Sequence, residues 1–364
     1  MNLGRGAKVV ILLAAVVGVC AGVKLAAPVL IPFLLAMFIA TVTAPLVLWL
    51  ADHGVPRVLA VLVALMLDLG AVAGFAALVG TSVTAFYEQL PHYQQQLARL
   101  VEQVYVWMAS YGFQMPTRPF NVWGDPRQLM SLVTALIGGI ASVVSNLVLV
   151  LLIVVFMLFE ATGAREKLSR ILLRESLDRV AGAAREVNKY LLVKTATSLA
   201  TGILAGVWCA VWDVDLPLLW GLLAFLLNFI PTVGSIIAAV PPMLLGLLQH
   251  GLGPSMAVAA GYLVVNFTIG NFLEPRILGR ALGLSPLVVF LSIVFWGWLL
   301  GPVGALLSVP LTMTLKIFLA NTEDGHWIAV LLEPVRPKRR PLTAPAAGQP
   351  PGVSHASTAD SSTP

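Results

Sequence analysis

Residues 216–248 form an apolar stretch longer than the roughly 20 residues that cross a bilayer as one helix, and a proline cuts it in two. No other feature restricts the fold as much. Within it lies Asn228-Phe-Ile-Pro-Thr-Val-Gly-Ser-Ile-Ile-Ala-Ala-Val-Pro-Pro. Pro231 lacks a backbone donor and collides with the preceding turn. Gly234 loosens the backbone, and Pro241-Pro242 predicts a second helix end. Asn228, Thr232 and Ser235 bring polar side chains to the same place. Backbone freed at membrane depth must be satisfied by protein or by water in a cavity. A broken apolar segment is therefore either a packed kink or a transport site.

The remaining sequence has the same character. Of 364 residues, 59% are hydrophobic and 11% charged, against roughly 25% charged in soluble domains. This composition predicts an all-α, polytopic integral membrane protein with about eight spanning helices of some 20 residues each. Two of its apolar stretches, both in the C-terminal half, are expected to be broken or re-entrant hairpins. Cys20 and Cys209 lie in apolar runs and read as small buried hydrophobes, not a disulfide framework. The net charge of +5 comes from loops and the tail, where basic residues set membrane orientation rather than bind nucleic acid. The first apolar run resembles a signal peptide in length. Lys24 and a second apolar run follow at once, so it reads as a retained span.

Taken in order, residues 1–80 hold three spans. Residues 81–140 form a more polar insertion, 141–160 a fourth span, and 161–194 a basic amphipathic helix. The core region covers 195–320, and 321–364 is expected to be a disordered cytoplasmic tail, its residues 341–364 rich in Pro, Ala, Ser and Thr. In the insertion, Leu90, Tyr93, Leu97, Leu100, Val104, Trp107 and Tyr111 alternate three and four apart, an a/d seam that needs a partner helix in this chain or another. Arg165 to Lys194 is the most basic internal segment, which puts it on the cytoplasmic side together with both termini. If residues 216–248 enter and return, Arg276 and Arg280 also fall inside, as the charge rule prefers. The second long stretch, 284–320, is cut at Gly301-Pro302 and again near Pro310. Gly18/Gly22, Gly70/Gly74, Gly202/Gly206 and Gly297/Gly301 are spaced for close helix contacts.

No lysine follows a glycine directly, so there is no phosphate-binding loop, and neither a His-Glu-x-x-His site nor a nucleophile elbow is present. Nothing predicts an enzyme, a metal centre or a cofactor. Polar residues within apolar sequence are Asn228, Thr232, Ser235, Asn266, Thr268, Asn271 and Glu274. Their oxygens suit a hard cation, a proton on the carboxylate, or a polyhydroxylated solute. Asp68 stands apart, near the middle of the third span. A carboxylate there costs about 2.5–3.5 kcal/mol on insertion scales, so it is either a proton relay or a neutral residue facing a neighbouring helix.

Asn228-Phe-Ile-Pro231-x-x-Gly234, Glu274-Pro275-x-x-x-Gly279, Leu284-Ser285-Pro286 and Gly301-x-x-Gly304-x-x-x-x-x-Pro310 together resemble the autoinducer-2 exporter transporter family. The amino-terminal Pro32-Phe33, the Gly54-x-Pro56-Arg57 turn and the basic linker also fit, and the likeness covers residues 9–320. The resemblance implies a permease of the bacterial cytoplasmic membrane. It associates members with export of the furanosyl-borate signal autoinducer-2, and others with sodium(lithium)–proton antiport. Asp68 matches no motif of the family.

The expectation is a secondary transporter working by alternating access. Its substrate or ion site would comprise Asn228, Thr232, Ser235, Asn266, Asn271 and Glu274. Pro231, Gly234, Pro241, Pro242, Pro275, Gly279, Gly301, Pro302 and Pro310 would shape the backbone. Glu274 would either couple transport to a proton or cation, or anchor a helix at the inner surface. The expected partners are the bilayer, a small solute or ion, and further copies of the chain in a homo-oligomer. The rival readings are a passive channel and a non-transporting membrane scaffold acting through the heptad seam and basic helix.

Overall fold

The computed structural model describes residues 5–111, 131, 133–135, 137–138, 149–160, 174–278, 283–322 and 325–334. Every regular element among them is helical. The helices are α1 (Arg5–Leu25), α2 (Ala27–Asp52), α3 (Arg57–Ser110), α4 (Leu149–Glu160), α5 (Arg174–Val211), α6 (Pro217–Leu227), α7 (Val233–His250) and α8 (Leu252–Asn266). A π-helical segment (Phe267–Leu273) joins α8 to α9 (Glu274–Leu278). Then come α10 (Pro286–Leu306), α11 (Ser308–Ala320) and α12 (His326–Leu331). Among the described residues, 6 helical stretches are long and apolar enough to cross a membrane, with shorter apolar helices beside them. Their outer faces carry bare Leu, Val and Phe, such as Phe156, Leu263 and Phe318. These are faces that lipid covers, while the backbone bonds itself within each helix. This is an all-α polytopic membrane protein.

The long stretch beginning at Leu216 is a helical hairpin. With 11 residues, α6 reaches only about 16 Å, too short to span. The end of α7 comes back to the start of α6. The Asp215 backbone N–H donates to Gln249 Oε1 (3.2 Å), Gln249 Nε2 donates to Asp215 Oδ2 (2.5 Å), and His250 Nε2 donates to the Asp213 carbonyl (2.9 Å). The turn between the helices holds Pro231 and then Thr232 at φ +60°, a backbone region costly for a β-branched residue. Gly234 closes the turn: a Cβ there would lie 1.8 Å from the Leu227 carbonyl oxygen. Pro241 and Pro242 do not end the helix, contrary to the sequence expectation. Both are buried inside α7, which packs along α8, and neighbouring helices make such prolines tolerable at membrane depth.

The second hairpin is α10–α11. The helical run breaks at Gly301 (φ 68°, ψ −153°), a conformation open to glycine and few others. Pro302 follows at once, and Pro310 sits in the first turn of α11, where a missing N–H costs nothing. The two arms run antiparallel: Trp296 Nε1 donates to Thr312 Oγ1 (3.0 Å), and Lys316 Nζ donates to the Gly283 carbonyl (2.8 Å). A Cβ on Gly304 would stand 2.1 Å from the Trp296 carbonyl oxygen.

The hairpins enter from opposite ends of the apolar part of α5. Near the middle of α5, where its apolar part begins, Tyr190 and Leu191 cluster with Leu284 at the open base of α10–α11 and with Val309 and Met313 of α11. At its late end the chain passes Val211 into the Asp213–Asp215 turn, the open base of α6–α7. From Tyr190 to Val211 the helix rises about 32 Å, close to a hydrocarbon thickness. The tips converge on α2. Phe38 meets Phe229 edge to face at 5.6 Å, and Leu35, Ala36 and Ala40 pack with Val303 and Leu307.

Of the glycine pairs, Gly202/Gly206 makes the expected contact. A Cβ on Gly202 would lie 2.8 Å from the Gly221 carbonyl oxygen, so α5 and α6 touch backbone to backbone. Gly18, Gly22, Gly70 and Gly74 have nothing within 4 Å of a built Cβ. Two expected borders are crossed by continuous helices: α3 runs through residue 80 and α5 through 194. The expected disordered tail from 321 is also corrected at its start, because α12 buries Ala329 and the Ser285 N–H donates to the Leu332 carbonyl (3.0 Å), which docks this segment on the second hairpin. At 54 residues, α3 is about 81 Å long, so much of it projects beyond any bilayer. The heptad seam divides. Tyr93 and Leu97 are buried with Val133, Ile137 and Trp220 of the same chain, whereas Val104, Trp107 and Tyr111 are exposed.

Candidate functional site

The site is assembled on one face of α5. Lys194 and Ser198 lie one turn apart there, both buried. Lys194 Nζ donates to both oxygens of Glu274, at 3.0 and 2.9 Å. The side chains of the pair are only 4% and 15% exposed. In low-dielectric surroundings a charge pair survives only with such bidentate geometry, because each ion loses most of its hydration. Ser198 Oγ accepts from Asn228 Nδ2 at 3.0 Å. The turn of the first hairpin and the end of the α8–α9 run thus each reach α5, one helical turn apart.

Local chemistry explains how Glu274 gets there. Proline in an α-helix strikes the carbonyl four residues back, which for Pro275 belongs to Asn271. Here the helix widens instead: the Glu274 N–H bonds the Ile269 carbonyl five residues back. Wide turns of this kind recur at functional positions. Arg276 sits over the Phe272 ring at 5.7 Å, which holds the segment on its other side.

The predicted site residues separate into two groups. Asn228 and Glu274 are brought together, through α5 rather than by direct contact. Asn266 is half-buried, and Asn271 and Thr268 are exposed. Thr232 bonds its neighbour, the Pro231 carbonyl (2.7 Å), and Ser235 bonds the Thr232 carbonyl (3.0 Å), so both serve the turn. Gly279 lies outside the described residues. Asp68 is not bonded to this centre: Thr43 Oγ1 of α2 donates to its Oδ1 at 2.8 Å. Beside the hairpin tips, an apolar cavity of about 330 Å³ opens between α2, α5 and α11, lined by Phe38, Leu191, Leu307, Pro310 and Thr314 among others.

Sequence reasoning missed Lys194, Ser198 and Thr43. Lys194 was grouped with the basic cytoplasmic set. Its signal was present all the same: it follows Leu191, Leu192 and Val193 and precedes a long apolar run, and an ion within such a run calls for a partner.

The model of the AI-2E family transporters matches residues 10–324. The chain belongs to the AI-2E transporter family. It is 41% identical over 330 residues to the AI-2 transport protein TqsA of Escherichia coli K12, covering 90% of this chain and 96% of that one. It is 38% identical to the putative transport protein YhhT of the same organism, over 92% and 97% of the two chains. The putative transport protein YrrI of Bacillus subtilis is 28% identical over 80% of this chain and 86% of its own. Family membership and apolar helices together make the chain a multi-pass membrane transporter.

Proposed function

We propose that this AI-2E family protein exports a small hydroxyl-rich solute, AI-2 or a close chemical relative, across the cytoplasmic membrane, with both termini inside. The observation that carries the reading is the buried Lys194–Glu274 pair one turn from Ser198–Asn228. An ammonium that donates, a carboxylate that accepts, and an amide and a hydroxyl that do both match a polyol with adjacent hydroxyls. The likeness to TqsA over nearly the whole chain supports that choice of solute. Two hairpins entering from opposite faces supply the moving parts of alternating access. In the state described here, Lys194 and Glu274 satisfy each other. An entering solute takes over their hydrogen bonds and lets the α8–α9 run part from α5.

The test is efflux from proteoliposomes loaded with labelled AI-2. Saturable efflux is expected from the native protein, with Glu274→Gln and Lys194→Met both inactive. Asn228→Ala should raise KM about tenfold, the worth of one hydrogen bond of about 1.4 kcal/mol. Efflux no faster than from empty liposomes would refute the substrate, and full activity of both charge variants would refute the site.

A further inference from the structure

Asp68 belongs to none of the machinery above, yet it is a carboxylic acid 8% exposed in the middle of a bilayer-spanning helix. It lies about 16 Å along α3 from Arg57, at 1.5 Å per residue. Its Oδ1 accepts from Thr43 Oγ1, itself buried on α2. Its Oδ2 is sealed from solvent and has no hydrogen-bond partner. Around the pair is an apolar cluster: Ala40 and Val47 one turn either side of Thr43, Ala64 one turn before Asp68, with Val154 of α4 and Val303 of the second hairpin.

What faces this carboxyl group from each packed element decides its state. No ionisable side chain lies on α2 between Lys24 and Asp52, and none besides Asp68 on α3 between Arg57 and Tyr87. Glu160 at the far end is the one such residue on α4, and none occurs from Pro286 to Leu315 of the second hairpin. Residues 131–148, which precede α4, contain none either, nor does α6, and α7 has only His250 at its end. The last charged residue of α5, which packs on α2, is Lys194, and Glu274 already holds its ammonium. Asp52, His53, Arg57 and Glu160 all sit at helix ends. A carboxylate in this position would be an ion with one hydrogen bond and no counter-charge, whereas a carboxyl group needs no counter-charge.

We propose that Asp68 is a proton-binding site that couples this transporter to the proton gradient. In the described state Oδ2 carries the proton, and Oδ1, the carbonyl oxygen, takes the Thr43 hydroxyl. Release transfers that proton from Oδ2 to water when α2 and α3 separate. Water that enters between the helices replaces the Thr43 hydroxyl as donor to the carboxylate left behind, and the Thr43 bond re-forms when Asp68 is reprotonated from the other side and the helices close. Because α2 also carries Phe38, against which the tip of the first hairpin rests, a shift of α2 reaches both the proton site and the solute site.

The proton site stands on its own geometry; its coupling rests on the transport reading. Two measurements on the full chain keep them apart. Infrared spectroscopy of the native protein in lipid at pH 7 should show a protonated-carboxyl band that Asp68→Asn removes. Absence of the band, or its survival in Asp68→Asn, would overturn the proposal whatever the solute. In proteoliposomes with a trapped pH dye, an AI-2 gradient should drive proton movement through the native protein. Asp68→Asn should abolish that movement while retaining AI-2 counterflow, and Asp68→Glu, which keeps a carboxyl group, should restore it. Undiminished proton movement in Asp68→Asn would refute the coupling. A native protein with the infrared band but no AI-2 counterflow would refute the solute and leave the proton site standing.

Discussion

Replacing Lys194 by methionine strips the partner from a carboxylate whose side chain is only 15% exposed. An uncompensated buried charge costs about 3–5 kcal/mol, so Lys194→Met should lower thermal stability sharply. Lys194→Met combined with Glu274→Met should recover most of that loss, since two apolar chains of similar size need no counter-charge. Unfolding curves of the single and double variants in one lipid mixture check this, and a double variant no better than the singles would refute it. Glycines give a second contrast. Gly234→Ala and Gly304→Ala force a methyl group into backbone at 1.8 and 2.1 Å and should cost at least about 2 kcal/mol each. Gly70→Ala meets nothing within 4 Å and should be neutral or slightly stabilising by helix propensity. Equal yields of folded protein for all three would contradict the packing described.

Each hairpin makes a prediction of its own. The start of α6 and the end of α7 share one end of the bundle through Asp215, Gln249 and His250. In a chain with Cys20 and Cys209 replaced by alanine, Asp215→Cys with Gln249→Cys should be joined by a short thiol cross-linker within one molecule. A single straight passage from 216 to 248 would put those positions on opposite sides of the membrane, and no link would form. Much of this was legible beforehand. Length against bilayer thickness, and proline against helix continuity, are local quantities, and they already implied two hairpins. The same reasoning failed at Pro241-Pro242. A proline's cost depends on what surrounds the freed carbonyls, and α8 packs there.

For the whole molecule, the central prediction is opposed entry of the hairpins. Single cysteines at Gln249 and Asn321, both near hairpin bases, should react with a membrane-impermeant thiol reagent from different faces. The reading with both termini inside puts Asn321 on the cytoplasmic side and Gln249 outside. Reaction of both from one face would overturn the arrangement, and reversed labelling would overturn the orientation only. The site follows from this architecture. Asn228 and Glu274 lie far apart in the chain, and each meets α5 because one hairpin and one widened helix end against the same face of it.

By itself the sequence determined the helical class, the membrane solvent, the family and the two breaks. All of these follow from apolar run length and from residues whose backbone chemistry is the same in any context. Asn228 and Glu274 were legible too, as polar groups in apolar runs. Only the tertiary structure decided their partners. Pairing of Lys194 with Glu274, of Ser198 with Asn228 and of Thr43 with Asp68 depends on which helix faces meet. So does the division of the heptad seam into a half buried within the chain and a half left exposed. Those faces are set by packing among many side chains at once, for which no single stretch of sequence carries a signal.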